Sequence, residues 1–250
     1  IISIDNNDIK TMSTENISRA LLGEVGTKIS LVYRRDGVDT PVDLIRTDIK
    51  IPVVELKMIE DNAVIKISEF NDVTYEQFKE CVDTAVQNGA KGFIFDVRNN
   101  TGGTINSVIK VLDMILPSGE IAKKIDNNGV ETVLGTSDRF EIEAPIVTLV
   151  NGKTASAAEL FVACIRDFEK GNSVGTKTYG KGVIQSLIKL TDGSAINITT
   201  AHFLPPSNQE INNVGIIPDY EVPFEGDLSS IEYTDDVQLL KAIEVVNTKK

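Results

Sequence analysis

The chain has 250 residues, of which 41% are hydrophobic and 25% are charged, and its formal net charge is −12. This composition is typical of a folded globular protein and excludes a disordered or fibrous chain. The excess of negative charge argues against a broad electrostatic surface for nucleic acid or for an anionic membrane. No apolar run approaches the ~18 residues of a membrane span. The first letters, IISID, are typical of a strand interior, so we expect an upstream portion with any targeting segment to be missing.

The first segment, residues 1–46, predicts a small β-rich module with one helix. Ser13 stands where an N-cap is expected, and Gly23 follows the helix as a stop signal. The run KISLVYRR, the turn Asp36-Gly37 and the run TPVDLIR together predict a β-hairpin. Residues 47–57 are predicted to be a linker, and residues 58–250 a second domain.

The second domain alternates between strand and helix patterns. The runs KGFIFDV and PIVTLV are continuously apolar, as expected of strands that are covered on both faces. Each run is followed by a short polar loop and then by a helix, opened by Thr104 in the first case and by Ser156 in the second. Paired strands are predicted on either side of Asp192-Gly193, and TDDVQLLKAIEVV predicts a closing helix. The sequence therefore predicts an α/β domain with parallel pairing in its middle.

Two loops, RNNTGG and NGKTASA, follow the two apolar strands. If the strands are neighbours, the loops meet in the crevice beyond the strand ends, where ligands bind in parallel sheets. Ser156 is then a candidate nucleophile, and the N–H groups of Gly102, Gly103 and Ala157 are candidates for an oxyanion hole. Taken singly, a serine before a helix is more often an N-cap, and a Gly-Gly pair is more often a turn.

A serine nucleophile needs a base. The only histidine, His202, lies in an apolar strand, where histidine is more often a packed or surface residue. The other option is a lysine that burial keeps neutral. Lys181 fits this role well because small residues, Gly180 and Gly182, flank it, while Lys153 and Lys177 are competitors. Periodicity does not choose among the three lysines.

Several stretches in order resemble the carboxyl-terminal processing peptidases, or tail-specific serine proteases. FIFDVRNNTGG is similar to that family's D-L-R-x-N-x-G-G stretch, and VNGKTASAAEL to its V-N-x-x-S-A-S-A-S-E motif. VGTKTYGKGVIQ is similar to its V-G-x-x-T-x-G-K-G-x-x-Q motif, and GIIPDYEVP to its G-I-x-P-D-x-x-V stretch. There are three departures: Thr101 stands in place of a proline, and Thr154 and Ala158 stand in place of serines.

The resemblance implies a role for each matching residue. Ser156 corresponds to the nucleophile, Lys181 to the general base at the family's spacing, and Gln185 to the glutamine that supports the lysine. Gly103 and Ala157, with Gly102 as a further option, correspond to the oxyanion hole. Asp167 matches an acidic residue on the following helix, which we interpret as structural. No metal and no cofactor are implied.

The resemblance also implies a fold of the ClpP/crotonase kind, preceded over residues 1–46 by the latter part of a PDZ domain. It further implies protein or peptide substrates with exposed C-terminal tails, a homo-oligomer as an option, and a place outside the cytoplasm, in the cell envelope or secreted. Two alternatives stay open. One is a catalytically silent peptide-binding module on the same scaffold, and the other is an acyl-CoA enzyme, which only the shared fold class suggests.

Overall fold

The computed structural model describes residues 1–48, 51–138, 142–228 and 230–249. The chain divides into two compact units, Ile1–Ile51 and Pro52–Lys250. Ile49 and Lys50, which belong to the predicted linker over residues 47–57, lie outside the described residues. Among the described residues, none of the helices has the length and apolar character that crossing a bilayer requires.

The first unit is a four-stranded antiparallel sheet with one helix. Its elements are β1 (Ser3–Ile4), β2 (Asn7–Asp8), a 3-10 helix (Ile9–Thr11), α1 (Thr14–Leu21), β3 (Lys28–Arg35) and β4 (Val38–Ile45), and the strand order is β2-β1-β3-β4. Ser13 caps α1 as predicted, because its Oγ accepts the N–H of Asn16 at 3.2 Å. The PDZ-like character of this unit stays a prediction.

The second unit carries the α/β core. Its elements are β5 (Val54–Ile59), β6 (Asn62–Ile67), α2 (Thr74–Gln87), β7 (Gly92–Asp96), α3 (Ile105–Asp113), β8 (Gly119–Asp126), β9 (Glu131–Ser137), β10 (Ile146–Val150), α4 (Ala157–Asp167), β11 (Gly171–Gly175), β12 (Val183–Lys189), β13 (Ala195–Leu204), β14 (Tyr220–Glu221) and α5 (Val237–Asn247). The predicted α/β architecture with parallel strands is confirmed.

The main sheet has the order β14-β11-β10-β7-β6-β5, and its strands are parallel except for β5. Both faces of its central strands are covered. Phe93 and Phe95 point into a core that α2, α3 and α4 share, while Ile94 points into a second core against α5. Alternate residues of β7 thus enter different cores, and this explains why its sequence is apolar without interruption.

A second sheet in this unit is antiparallel and has the order β12-β13-β8-β9. The hairpin of β12 and β13 turns at Asp192-Gly193, as predicted, with a positive φ of 88° at Gly193. The hairpin of β8 and β9 was not predicted from the sequence.

Candidate active site

The two loops predicted to meet do so, because β7 and β10 are neighbours and pair in parallel, with Asp96 beside Leu149. Asn100 ties the loops together and is completely buried. Its backbone O accepts the N–H of Ala155 at 3.0 Å, and its Oδ1 accepts the N–H of Gly102 at 2.8 Å. Its Nδ2 donates to Ile67 O at 2.9 Å at the end of β6. One residue therefore joins the segments that follow β6, β7 and β10.

Further hydrogen bonds join the two loops. The side-chain amide of Asn151 donates to Asn99 Oδ1 at 3.0 Å, and Asn151 Oδ1 accepts the N–H of Asn99 at 3.0 Å. Thr154 Oγ1 donates to Val97 O at 2.9 Å and is buried. Thr154 is one of the departures from the family motif, and its hydroxyl retains the donor that a serine would supply.

Ser156 lies at the turn between β10 and α4 in a strained backbone conformation. Its φ is 58° and its ψ is −122°, which is an unusual region for a residue with a Cβ. Such conformations cost on the order of 1–3 kcal/mol and concentrate at active sites. The loop around Gly102 is packed against this turn so closely that a Cβ on Gly102 would lie 2.7 Å from Ser156 Cβ. The turn leaves Ser156 half-buried at the N-terminus of α4.

Ser156 and Lys181 line the same pocket, which has a volume of about 370 Å³. The other lining residues come from the loop before α3, from the first turn of α3 and from the start of β12: Gly103, Thr104, Ile105, Asn106, Val183, Ile184 and Gln185. Within the described parts of the chain, Lys181 Nζ has no ion pair or side-chain hydrogen bond. The geometry thus presents a serine hydroxyl and a lysine amine to one cavity.

Glu159, on the first turn of α4, connects the two segments that carry these residues. Its Oε2 accepts the N–H of Ser156 at 2.9 Å and the N–H of Lys181 at 2.8 Å. Its Oε1 accepts the hydroxyl of Thr178 at 2.6 Å and the N–H of Gly180 at 2.7 Å. The side chain is completely buried, so these four donors replace water around its carboxylate.

Glu159 matches the final glutamate of the family's serine motif, but it was not among the predicted site residues. The local pattern S-A-A-E predicts only a helix N-terminus. The contacts to Thr178, Gly180 and Lys181 join residues about 20 positions apart, and no local pattern carries such information. The signal available was the joint occurrence of the serine and lysine motifs.

The candidate oxyanion donors differ in their availability. The N–H of Gly102 already donates to Asn100 Oδ1, so it is occupied. No hydrogen bond among the described residues uses the N–H of Gly103 or that of Ala157. Gly103 has a φ of 139°, and its position is fixed by Phe70, whose O accepts the N–H of Thr104 at 2.7 Å and whose N–H donates to Gly102 O at 2.9 Å. Gly103 and Ala157 are therefore the two free donors beside Ser156.

Gln185 lines the pocket with Lys181, but the described residues contain no hydrogen bond between them. Instead, Gln185 Oε1 accepts a hydrogen bond from Asn197 Nδ2 at 3.5 Å, across the hairpin. Lys181 precedes β12, which begins at Val183, so strand periodicity does not apply between positions 181 and 185. Both side chains nevertheless line the same cavity, and the backbone just before Lys181 has a positive φ of 89° at Gly180.

The competing bases lie elsewhere. His202 is on β13 opposite Val183, and its Nδ1 lies 3.9 Å from Glu210 Oε1. Lys153 lines a different pocket with Asn99 and Gln238, and Lys177 is exposed. Asp167 ends α4, where its carboxylate accepts the N–H of Ser207 at 3.0 Å, and it does not line the Ser156 pocket. Of these charged groups, only Lys181 shares a pocket with Ser156.

A buried ion cluster supports the loop that follows β7. The Arg98 guanidinium donates to Asp96 at 2.7 Å and to Asp236 at 2.8 Å, and all three side chains are almost inaccessible. Burial disfavours the charge of Arg98, but the hydrogen bonds and charges of Asp96 and Asp236 outweigh burial and raise the pKa of Arg98 above its usual value. Because Asp236 also caps α5, the cluster attaches the closing helix to the loop that holds Gly102 and Gly103.

The comparison of family models places this α/β core among the peptidases. The chain belongs to peptidase family S41, whose family model matches residues 61–222.

The chain is 31% identical over 255 residues to the "Carboxyl-terminal-processing protease" of Synechocystis, covering 98% of this chain and 60% of that relative. It is 30% identical over 234 residues to "Carboxyl-terminal-processing peptidase 2, chloroplastic" of Arabidopsis thaliana, covering 89% of this chain and 45% of that relative. Among solved structures, the "Photosystem II D1 C-terminal processing protease" superimposes with a TM-score of 0.65 at 25% identity, covering 96% of this chain and 66% of that one. The chain therefore spans about half of the length of these curated relatives.

Proposed function

We propose that this chain is the catalytic part of a serine endopeptidase of the carboxyl-terminal processing type, in which Ser156 and Lys181 form a dyad. The observation that carries the proposal is that these two side chains line one pocket of about 370 Å³. The free N–H groups of Gly103 and Ala157 support it, because they stand beside the serine at a helix N-terminus, where negative charge is favoured. The names of the relatives support the substrate class.

In the proposed reaction, the neutral amine of Lys181 accepts the proton of Ser156 Oγ while this oxygen attacks the scissile carbonyl carbon. The carbonyl oxygen takes up negative charge, and the N–H groups of Gly103 and Ala157 stabilise it. The ammonium of Lys181 then donates its proton to the leaving amine, and the C–N bond breaks. A water molecule that Lys181 deprotonates attacks the acyl carbon of the acyl-enzyme, the bond from this carbon to Ser156 Oγ breaks, and Lys181 returns the proton to Oγ as the acid leaves.

The supporting residues hold this geometry. Glu159 fixes the backbone of both members of the dyad through their N–H groups. Gln185 lies in the same pocket, and we propose that it contacts Lys181 when substrate displaces it from Asn197. We assign Asp167 a structural role, because its carboxylate binds the backbone of residue 207.

We further propose protein substrates with exposed C-terminal tails and a location outside the cytoplasm. Both follow from the family resemblance. The alternative function is a peptide-binding module without turnover. A serine in a strained turn and a lysine that has no ion partner among the described residues favour catalysis over this alternative, because binding alone requires neither feature.

The test is cleavage of an unfolded polypeptide that ends in an apolar tail, with the products located by intact mass spectrometry. We expect Ser156→Ala and Lys181→Ala each to reduce kcat/KM by at least 10³-fold, because removing one member of a catalytic unit also makes the other member ineffective. Lys177→Ala is the matched control, since Lys177 is exposed in the same segment and should leave cleavage unchanged. Cleavage by either dyad variant at the parent rate rules out the dyad. Binding of the tail without cleavage by the parent protein favours the binding module.

A further inference from the structure

The strand β12 is an edge strand that begins inside the Ser156 pocket. It pairs with β13 on one side and stands at the end of its sheet, so no other strand of the described chain pairs with its second side. Its first three residues, Val183, Ile184 and Gln185, line the pocket with Ser156 and Lys181. The open edge is therefore continuous with the place where the proposed reaction occurs.

The hydrogen bonds of the hairpin show which backbone groups face this open edge. Phe203 N donates to Gly182 O at 3.1 Å, and Leu190 N donates to Ser194 O at 2.8 Å. In an antiparallel pair, alternate residues form backbone hydrogen bonds to the partner strand. The N–H and C=O groups of the even-numbered residues of β12 are therefore directed towards β13. The odd-numbered positions, Val183, Gln185 and Leu187, consequently direct their N–H and C=O groups outward. The β-bulge at Ile184/Gln185 does not change this alternation, because its extra residue lies in β13.

The edge lacks the features that usually protect an exposed strand. Natural proteins place charges or prolines on free edges to prevent pairing with other chains. Val183–Ile188 contains neither, and its first charged residue is Lys189 at the end of the strand. Each other edge strand carries a charged residue among its first two positions: Asp8 in β2, Asp39 in β4, Glu55 in β5, Glu131 in β9 and Glu221 in β14. β12 is thus left open to pairing where the others are not.

One face of the hairpin is also apolar. Ile188 lies opposite Ile196, and Ser186 lies opposite Ile198. The isoleucines and the nearby Leu190 are between 40 and 46% exposed. An extended peptide beside β12 would place every second side chain next to this face, which suits apolar residues at alternate positions.

We propose that the edge of β12 binds the substrate polypeptide as an added strand, with its backbone paired to Val183, Gln185 and Leu187 and with apolar side chains at alternate positions. This inference rests on the proposed function, because the bound polypeptide is identified as substrate only by the nearby pocket of Ser156 and Lys181, which Val183 also lines. From Val183 to Leu187 the edge is roughly 13 Å long at about 3.3 Å per residue, enough for about five residues of the peptide. The pairing carries the scissile bond towards Ser156 without requiring one particular sequence.

The test measures binding rather than turnover and uses the Ser156→Ala protein. The probe is a fluorescein-labelled decapeptide in which valine alternates with serine, and its Kd is measured by fluorescence anisotropy. A second probe is the same peptide with N-methyl groups on alternate amides, which removes the donors that pair with a strand edge. We expect the unmethylated peptide to bind at least about tenfold more tightly.

Two substitutions at one position separate the contribution of the backbone N–H to peptide binding from that of the side chain. Leu187→Pro removes the outward N–H and keeps the ladder with β13, so the protein should fold, because proline is tolerated at edges where its nitrogen faces solvent. Leu187→Ala keeps the N–H and removes the apolar side chain. We expect Leu187→Pro to weaken binding of the unmethylated peptide about tenfold and Leu187→Ala to weaken it less than threefold, with thermal melts to verify folding.

Equal Kd values for the proline and alanine variants overturn the inference, as does equal binding of the two peptides. A dimer in size-exclusion chromatography that Leu187→Pro dissociates also overturns it, because a second copy of the chain would then occupy the edge. These outcomes are distinct from a failure of the proposed function. That failure appears as turnover that does not depend on Ser156 and Lys181, while binding at β12 is measured in a protein without the serine nucleophile.

Discussion

The backbone N–H groups of Ser156 and Lys181 donate to the same atom, Oε2 of Glu159, at 2.9 and 2.8 Å. The two residues are far apart in the chain, and this shared acceptor sets the distance between their segments. Because the glutamate is completely buried, water does not compete for these bonds. Glu159 is therefore a positioning residue for the proposed dyad.

Replacing Glu159 should affect catalysis and stability to different extents. In Glu159→Gln, one of the two acceptor oxygens becomes an amide group that faces N–H donors. We expect the free energy of unfolding to fall by about 2–3 kcal/mol, the typical cost of unsatisfied buried donors. We also expect kcat to fall at least about tenfold with a smaller change in KM, because a misplaced dyad impairs the chemical step. Urea unfolding and steady-state kinetics measure the two effects.

Glu169→Gln is the control for this experiment, since Glu169 is an exposed glutamate shortly after α4. It should leave both stability and kcat unchanged. A Glu159→Gln protein with the parent kcat would show that the shared acceptor is dispensable for alignment.

The buried cluster of Arg98, Asp96 and Asp236 gives a second prediction. Arg98→Ala leaves two carboxylates buried without their cation, so we expect a loss of about 3–5 kcal/mol in the free energy of unfolding. Lys79→Ala breaks an ion pair whose side chains are about half exposed, and it should leave the denaturant midpoint nearly unchanged. Urea titration compares the two variants. Similar midpoints for both would contradict the role of the cluster in holding α5 to the loop after β7.

A third prediction concerns Gly103, where there is no space for a side chain. A Cβ at this position would lie 2.0 Å from Phe70 O, so Gly103→Ala must displace the backbone at Phe70 or the loop. Because the N–H of Gly103 is a proposed oxyanion donor, we expect kcat/KM to fall by about 10²–10³-fold. Gly129→Ala is the matched control. Gly129 also has a positive φ, of 80°, but has nothing within 4 Å of its would-be Cβ. It should cost about 1 kcal/mol of stability and no activity.

The two thiols should differ in reactivity. Burial, followed by the charge of Asp167, raises the pKa of Cys164 well above its usual value, and the side chain is completely buried. Burial, followed by the charges of Glu80 and Glu55, also raises the pKa of Cys81, which is only partly buried. Both thiols therefore stay protonated in the folded protein at pH 8, and the reactive thiolate is scarce.

A disulfide-exchange reagent at pH 8 tests this difference. We expect slow labelling of Cys81 and no labelling of Cys164 until denaturant unfolds the chain. Peptide mapping assigns the labelled thiol. Rapid native labelling of Cys164 would contradict the packing of α4 against β8, where Cys164 Sγ donates to Ile121 O at 3.2 Å.

The sequence predicted the α/β class well, because apolar runs without interruption arise only where both faces of a strand are covered. KGFIFDV and PIVTLV became β7 and β10, and Thr104 caps α3 as predicted. The hairpin at Asp192-Gly193 and the closing helix were also predicted correctly. The pair β8 and β9 was missed although Asn128-Gly129 is a turn signal, because its strands are only partly buried and so lack a regular apolar alternation.

The site was harder to predict, because its contacts join distant parts of the chain. The resemblance paired Ser156 with Lys181, and its serine motif ends at Glu159, but the motif does not show that this carboxylate accepts the N–H groups of both residues. Likewise, Arg98 and Asp236 meet only because α5 packs on the sheet, and local sequence cannot specify this contact. For Gln185, the motif gives the position in the sequence, but it does not show that the side chain accepts a hydrogen bond from Asn197 across the hairpin.

The helix α4 is buried on all sides from Ala157 to Ile165, whereas the hairpin beyond Gln185 is mostly exposed. A substitution in α4 must satisfy a close-packed interior, so few replacements are tolerated there. A substitution on the outer hairpin changes little of the folding free energy. The proposed nucleophile thus lies between two regions that differ in their tolerance of substitution. Side chains on the surface that leads into the pocket are replaceable at little cost in folding free energy, whereas those of α4 behind Ser156 are not.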